Sequence, residues 1–219
     1  MKTLFSDERF RLCLEPIGPL ETNVGFILDQ KAHRLAVVDA PPNSWDFFQK
    51  HFPPSEWTLT QLFLTHGHWD HMADASHFAD AQALLWAGER DALFFQHPEI
   101  MGAFGLKSPI IPCQVEHWAE EGECCEVFPS LSLRALHVPG HSPGSFAYVF
   151  PQILLAFVGD TLFAGGIGRS DLPGGDGERL LRSVREQLYT LPDETRIIPG
   201  HGPLSSILRE KRHNPHVRA

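Results

Sequence analysis

Short apolar runs separated by turn residues recur along the whole chain, a pattern typical of many short strands. The runs are rich in Val, Ile, Leu and Phe, and several of them end at Pro or Gly. The pattern predicts strands at residues 10–15, 24–29, 34–39, 62–64, 83–87, 125–128, 131–137, 146–150, 153–158 and 196–199.

Helical periodicity lies between groups of these strands. Ser44 is the predicted N-cap of a helix with an aromatic face, and Asp176 is the predicted cap of a helix over residues 178–191. Shorter helices are predicted at residues 72–78, 89–96 and 205–212. Strands that alternate with helices in this way indicate the α/β class.

One long segment, residues 97–122, is predicted to be irregular because it carries several glycines and prolines. Connections of this length inside a compact domain are often lids or binding loops. Three apolar side chains in the segment form either a substrate wall or part of the core, and the sequence leaves both open for Phe104, Leu106 and Trp118.

Three imidazoles and one carboxylate fall within six residues, directly after the predicted strand 62–64. His66 and His68 point the same way in an extended segment, because side chains alternate along a strand. Asp70 and His71 would leave the first turn of a following helix in different directions. Histidine and aspartate are ligands suited to zinc and related divalent metals. One loop thus offers two ligands to each of two neighbouring metals.

Three further candidate ligands, His141, Asp160 and His201, each directly follow a glycine near the end of an apolar run. Glycine lets the backbone turn sharply and approach a site closely. Two other polar residues stand at predicted strand ends. Asp39 either anchors the ligand loop or caps the turn that follows it, and His137 is predicted to be a packed or supporting histidine rather than another ligand.

A glycine-rich stretch at residues 163–175 follows Asp160. It lacks the Gly-Lys-Ser/Thr ending of a phosphate-binding loop. Backbone N–H groups of a glycine-rich loop beside a metal site can face an anionic substrate. Arg169 in this stretch either binds a substrate carboxylate through two hydrogen bonds or pairs with Asp171 to hold the loop.

The seven candidate ligands resemble those of the metallo-β-lactamase superfamily, whose signature is His-x-His-x-Asp-His followed by isolated His, Asp and His. The resemblance covers nearly the whole chain. It implies an α/β fold, the four-layer αβ/βα sandwich, in which two mixed sheets are flanked by helices. Residues 1–219 are then expected to form a single domain of this type.

Within the superfamily the chain is similar to the short glyoxalase II-type hydrolases, which resemble hydroxyacylglutathione hydrolase. The stretches at residues 167–175 and 199–203 carry this similarity. Full-length glyoxalase II has a C-terminal helical domain with basic residues for glutathione, whereas this sequence ends shortly after His201. No separate C-terminal substrate domain is therefore expected.

The resemblance also implies how the ligands are divided between two divalent metal ions. The first ion is expected to be held by His66, His68 and His141. The second is expected to be held by Asp70, His71 and His201. Asp160 is expected to bridge the two ions, with zinc the expected metal and iron or manganese the alternatives.

Metal pairs roughly 3.5–4 Å apart lower the pKa of a shared water toward ~7 and supply hydroxide at neutral pH. The chain is therefore expected to cleave S-acyl glutathione-like thioesters, with Asp70 orienting the nucleophile. A persulfide dioxygenase of the same superfamily is the alternative; it uses one iron, here on His66, His141 and Asp160. A non-catalytic module is disfavoured because all seven ligands are present, and β-lactamases are disfavoured because they commonly lack the aspartate at position 70.

Composition limits the kinds of molecule that we expect the protein to bind. A chain of 219 residues with 42% hydrophobic content can bury one sizeable core or two layered sheets. The net charge of −9 argues against a general nucleic-acid binder. Acidic residues near the N-terminus argue against a signal peptide, and no run approaches the ~20 apolar residues of a membrane span. We expect a cytoplasmic enzyme with a small-molecule thioester substrate, no nucleic-acid or membrane partner, and four reduced cysteines; the sequence does not determine the oligomeric state.

Overall fold

A computed structural model describes residues 1–104 and 109–219. Its backbone contacts divide the chain into two compact units. The first comprises Met1–Ala87 and Ala92–Trp118, and the second comprises Gly88–Asp91 and Ala119–Ala219. The prediction that residues 1–219 form a single domain stays a prediction.

The first unit is built on a mixed sheet whose strands follow one another in chain order within the described residues. Its strands are β1 (Lys2–Ser6), β2 (Phe10–Ile17), β3 (Thr22–Asp29), β4 (Arg34–Val38), β5 (Thr58–Phe63), β6 (Leu84–Ala87) and β7 (His117–Trp118). Neighbours from β1 to β4 are antiparallel, and neighbours from β4 to β7 are parallel. The α-helices of this unit are α1 (Ser44–His51), α2 (Trp69–Met72), α3 (Ala75–Asp80) and α4 (Ala92–Gln96).

Strand β4, at the centre of this sheet, is an almost continuous apolar run whose last four residues are buried. Every residue of β3 is buried. Helix α1 packs its aromatic face on the sheet, with the rings of Phe26 and Phe47 5.6 Å apart. The predicted N-cap was one residue off: the helix begins at Ser44, and the cap is Asn43 with a φ of 72°. Asparagine tolerates this left-handed conformation better than most residues.

The second unit contains another mixed sheet, with the strand order β15, β14, β11, β10, β9, β8. Its strands are β8 (Cys124–Phe128), β9 (Leu131–His137), β10 (Phe146–Phe150), β11 (Leu155–Gly159), β14 (Arg196–Pro199) and β15 (Ser205–Ser206). A separate hairpin and two helices complete it: β12 (Leu162–Phe163), β13 (Gly166–Ile167), α5 (Gly177–Glu186) and α6 (Ile207–His213). The α/β class with two mixed sheets and helices is thus confirmed.

Several predicted helices are shorter than their apolar patterns suggested. The helix predicted at 72–78 is split into α2 and α3, and the one predicted at 178–191 ends at Glu186, before a 3-10 turn at Leu188–Thr190. The predicted cap is correct, since the Asp176 side chain accepts a hydrogen bond from the Arg179 N–H at 3.0 Å. Other single-turn 3-10 helices cover Glu89–Asp91 and Pro151–Ile153.

The segment predicted to be irregular contains a 3-10 helix at Pro98–Phe104 and the short edge strand β7. Trp118 in that strand packs against the core of the first unit, so core packing is the correct alternative for this side chain. The predictions for Phe104 and Leu106 concern side chains outside the described part of the chain. Among the described residues, no helix has the length and apolar character that a membrane span requires.

Candidate metal centre

The loop after β5 is buried, although it carries three histidines and an aspartate. His66, His68, Asp70 and His71 are all at most 8% exposed. His68 is extended and is the residue before α2, so Asp70 and His71 lie in the first turn of that helix, as the sequence predicted. The Oδ2 atom of Asp70 lies 3.7 Å from Nε2 of His71. Ligand atoms of His66 lie within 4.8 Å of those of His68 and of His71.

A buried aspartate at the end of β4 orients this loop. The Oδ2 atom of Asp39 lies 2.8 Å from Nδ1 of His71. Asp39 also accepts hydrogen bonds from the backbone N–H of Thr65 at 2.8 Å and from its hydroxyl at 2.9 Å. Because a carboxylate only accepts, Nδ1 of His71 donates and Nε2 is left to face a metal. Of the two roles predicted for Asp39, anchoring the ligand loop is correct.

The remaining three candidate ligands meet within the second unit. Nε2 of His141 and Nε2 of His201 each lie 3.6 Å from Oδ2 of Asp160. A carboxylate placed between two imidazoles is suited to bridging two metal ions. His141 is buried, whereas the His201 side chain is 25% exposed.

The glycine-rich stretch packs against two of these candidate ligands, His141 and Asp160. The backbone carbonyl of Arg169 accepts a hydrogen bond from Nδ1 of His141 at 2.7 Å, which turns Nε2 toward Asp160. A Cβ at Gly168 would come within 1.8 Å of the Asp160 carbonyl and 3.2 Å of His141 Nδ1. Only glycine permits this approach. The glycine-rich stretch therefore packs directly against two of the candidate ligands.

The Arg169 side chain is engaged with Asp171. Its Nε and Nη2 donate to the two carboxylate oxygens at 2.7 and 2.8 Å. These hydrogen bonds lower the pKa of Asp171 to about 2 and raise that of Arg169. Both side chains are exposed, and their pairing is the second of the two roles that the sequence left open. The role of Arg169 in binding a substrate stays a prediction.

The turn that carries His141 is held by polar residues of the second unit. Nε2 of His137 lies 3.0 Å from the Pro143 carbonyl, and the His137 N–H donates to Glu121 at 2.5 Å. Burial is the main reason that the pKa of His137 is lowered. The prediction of a packed, supporting histidine is confirmed. Asp91, which binds the same turn, was missed because nothing in its neighbourhood in the sequence distinguishes it from a surface acid.

The family model for the metallo-β-lactamase superfamily matches residues 51–201. This chain belongs to the metallo-β-lactamase superfamily. It is 34% identical to the hydroxyacylglutathione hydrolase GloC of Haemophilus influenzae over 93% of this chain and 96% of GloC. The family and the fold class predicted from the sequence are both confirmed.

Two solved structures are similar over nearly the full length of this superfamily member. The BLEG-1 B3 metallo-β-lactamase has a TM-score of 0.85 and 28% identity, covering 95% of this chain and 100% of that one. The TTHA1623 protein, described in a di-iron-bound form, has a TM-score of 0.80 and 30% identity, covering 94% and 100%. With the family match, these similarities indicate a metal-dependent hydrolase.

The donor set in each unit fits divalent metal ions. The candidate ligands are imidazoles and carboxylates, which suit zinc and iron. The Nδ1 atoms of three of them are held by protein oxygens, on Thr65 for His66, Asp39 for His71 and Arg169 for His141. Metal-binding histidines commonly have their other ring nitrogen oriented in this way. The assignment of all seven residues as ligands stays a prediction.

Proposed function

We propose that this protein is a thioesterase of the glyoxalase II type, which hydrolyses S-acyl glutathione-like thioesters. The position of Asp160, at 3.6 Å from both His141 and His201, carries the proposal. A mononuclear iron dioxygenase would use His141 and Asp160 and leave His201 without a role. A carboxylate placed between the two histidines instead supports a dinuclear, hydrolytic centre. The similarity to GloC supports the same activity.

The proposed centre holds two divalent metal ions, with zinc first and iron or manganese as alternatives. His66, His68 and His141 would hold one ion. Asp70, His71 and His201 would hold the other, with Asp160 shared between them. When bound, such a pair lowers the pKa of a shared water to ~7 and makes hydroxide available at neutral pH.

The protein's own groups would orient the reactants. Asp70 is 8% exposed and is held in the first turn of α2, where its carboxylate can accept a hydrogen bond from the attacking water. Asp39 and the Arg169 carbonyl fix the rings of His71 and His141. Arg169 is our candidate for a contact with a substrate carboxylate, because its guanidinium is exposed.

We also propose a substrate class, a domain organisation and a range of partners. The substrate is a small molecule, residues 1–219 act as one domain, and neither nucleic acid nor membrane is a partner. The net charge of −9 would repel nucleic acid and anionic lipid surfaces. We place the enzyme in the cytoplasm, where glutathione thioesters and reduced cysteines are both found.

The test measures three activities of the metal-loaded protein: hydrolysis of a thioester panel that includes lactoylglutathione, hydrolysis of a β-lactam, and oxygen uptake with a glutathione persulfide. The β-lactam is included because of the similarity to BLEG-1. We expect thioester hydrolysis to have by far the highest kcat/KM. Dominant β-lactam hydrolysis or oxygen uptake would refute the proposal.

A further inference from the structure

Asp91 is a buried carboxylate, distinct from the seven candidate ligands, that binds the turn carrying His141. It is 0% exposed. Its Oδ2 accepts a hydrogen bond from the Ser142 hydroxyl at 2.6 Å, and its Oδ1 accepts one from the Gly144 N–H at 2.6 Å. Burying a carboxylate is unfavourable unless donors of this kind compensate for the lost water. The turn is therefore held in the conformation in which the Ser142 hydroxyl and the Gly144 N–H both point at Asp91.

The carboxylate sets the direction of the hydrogen bonds inside the turn. Ser142 Oγ lies 2.7 Å from Ser145 Oγ, and the Ser142 N–H donates to Ser145 Oγ at 3.2 Å. Since Asp91 can only accept, the single hydroxyl proton of Ser142 goes to Asp91, and Ser145 donates to Ser142. Replacing the carboxylate by an amide would bring N–H groups against one of the donors.

Residues 88–91 and the turn that follows His141 approach each other so closely that each segment requires a glycine. A Cβ at Gly144 would lie 2.7 Å from Cγ of Asp91, and a Cβ at Gly88 would lie 2.1 Å from the Gly144 carbonyl oxygen. Contacts this short cannot be accommodated without moving the backbone. Residues 88–91 and the turn that follows His141 therefore form a single packed arrangement.

We propose that Asp91 is a positioning residue for His141 and acts through Ser142 and Gly144. The inference rests on the proposed role of His141 as a metal ligand. The His141 ring is held by the Arg169 carbonyl at 2.7 Å, and its backbone is held by the turn that Asp91 binds. A ligand restrained on both sides loses less freedom when metal binds, so the affinity is higher.

The test is the Zn²⁺ affinity of the full chain carrying Asp91→Asn, measured by competition with a chromogenic chelator. We expect about a tenfold loss of affinity at one of the two metal sites, the usual size of an effect from a residue behind a ligand. The visible spectrum of the Co²⁺-loaded variant should also change, because it reports ligand geometry. Thioester turnover is not needed for either measurement.

Asp29→Asn is the matched control. Asp29 is also 0% exposed and accepts backbone hydrogen bonds in a turn, from Lys31 at 3.2 Å and Ala32 at 3.1 Å. Its side chain also accepts hydrogen bonds from the Arg9 guanidinium at 3.1 and 2.8 Å. Its backbone lies beside Arg34, at the opposite end of β4 from Val38, which lies beside Phe63 just before the ligand loop. The control should lower the melting temperature and leave Zn²⁺ affinity unchanged. An Asp91→Asn variant that behaves in the same way would overturn the proposal.

Two further variants distinguish a failure of Asp91→Asn to fold from a wrong assignment of His141 as a ligand. Ser142→Ala keeps the carboxylate and removes one donor, so it should weaken Zn²⁺ binding several-fold even if Asp91→Asn fails to fold; unchanged affinity would overturn the proposal. His141→Ala should abolish the site that Asp91→Asn weakens. If His141→Ala binds two Zn²⁺ ions as tightly as the parent protein, the ligand assignment itself is wrong. If affinity follows our expectation while thioesters are not hydrolysed, only the proposed activity fails.

Discussion

At the scale of single residues, Arg169 has two roles that kinetics can separate. Its guanidinium is held by Asp171, and its carbonyl holds His141. If the pair braces the loop, Arg169→Ala should lower kcat/KM for charged and neutral thioesters alike, and Asp171→Ala should copy the defect. If Arg169 reads a substrate carboxylate, KM should rise for charged thioesters only, with kcat little changed. Because the guanidinium stays exposed while it is paired with Asp171, we expect the second result.

The same pair gives a pH prediction. The hydrogen bonds from Arg169 lower the pKa of Asp171 from 3.8 to about 2. A depressed carboxyl pKa stabilises the fold above the unfolded value near 3.8, and this contribution is lost as the pH falls toward 2. An NMR titration of the Asp171 carboxyl should show a midpoint near 2, which should return toward 3.8 in Arg169→Ala. A midpoint near 3.8 in the parent protein would show that the pair is not formed in solution.

The candidate ligands could be recognised in the sequence, but the residues that hydrogen-bond to them and to their loops could be recognised only in part. The reason is physical. Ligand chemistry is visible as His and Asp at short spacings or after glycine. Asp91 meets Ser142 across 51 residues, and such a contact has no local signal. Asp39 was recognised only as one of two possibilities, because a strand-end aspartate serves equally well as a turn cap.

At the scale of elements, the glycine-rich stretch after Asp160 should tolerate a methyl group at Gly166 and not at Gly168, two residues further on. A Cβ at Gly168 would meet the Asp160 carbonyl at 1.8 Å, whereas a Cβ at Gly166 would meet only Phe163 at 3.6 Å. We expect Gly168→Ala to destabilise the protein by roughly 1–3 kcal/mol or more and to reduce bound metal. Gly166→Ala should change both little. Calorimetry with metal analysis measures this, and equal behaviour of the two variants would contradict the packing described.

Element boundaries followed the sequence where apolar periodicity was clean and departed from it where turns intervene. Strands β9, β10 and β14 have the predicted limits. The hairpin of β12 and β13 was missed because its two-residue strands lie in a glycine-rich stretch with no alternation. Its loop is fixed instead by tertiary contacts: Glu210 accepts from the Gly165 N–H at 2.8 Å, and Asn214 donates to the Gly166 carbonyl at 3.0 Å.

At the scale of the whole molecule, metal binding is expected to contribute to folding. Four candidate ligands belong to the first unit and three to the second. If they hold the same two ions, the binding free energy becomes part of the folding free energy. Chelation should lower the melting temperature and abolish activity together. An unchanged melting curve in demonstrably metal-free protein would show that the ligands do not act jointly.

If the protein holds a dinuclear centre, the number of metal ions bound per chain should differ between the parent protein and Asp70→Ala. Asp70 is assigned to the second ion only, so its removal should spare the ion held by His66, His68 and His141. We predict two tightly bound ions per parent chain, one tight and one weakened ion in Asp70→Ala, and loss of thioester hydrolysis in the variant. A single iron per parent chain, or equal weakening of both ions in Asp70→Ala, would contradict the account.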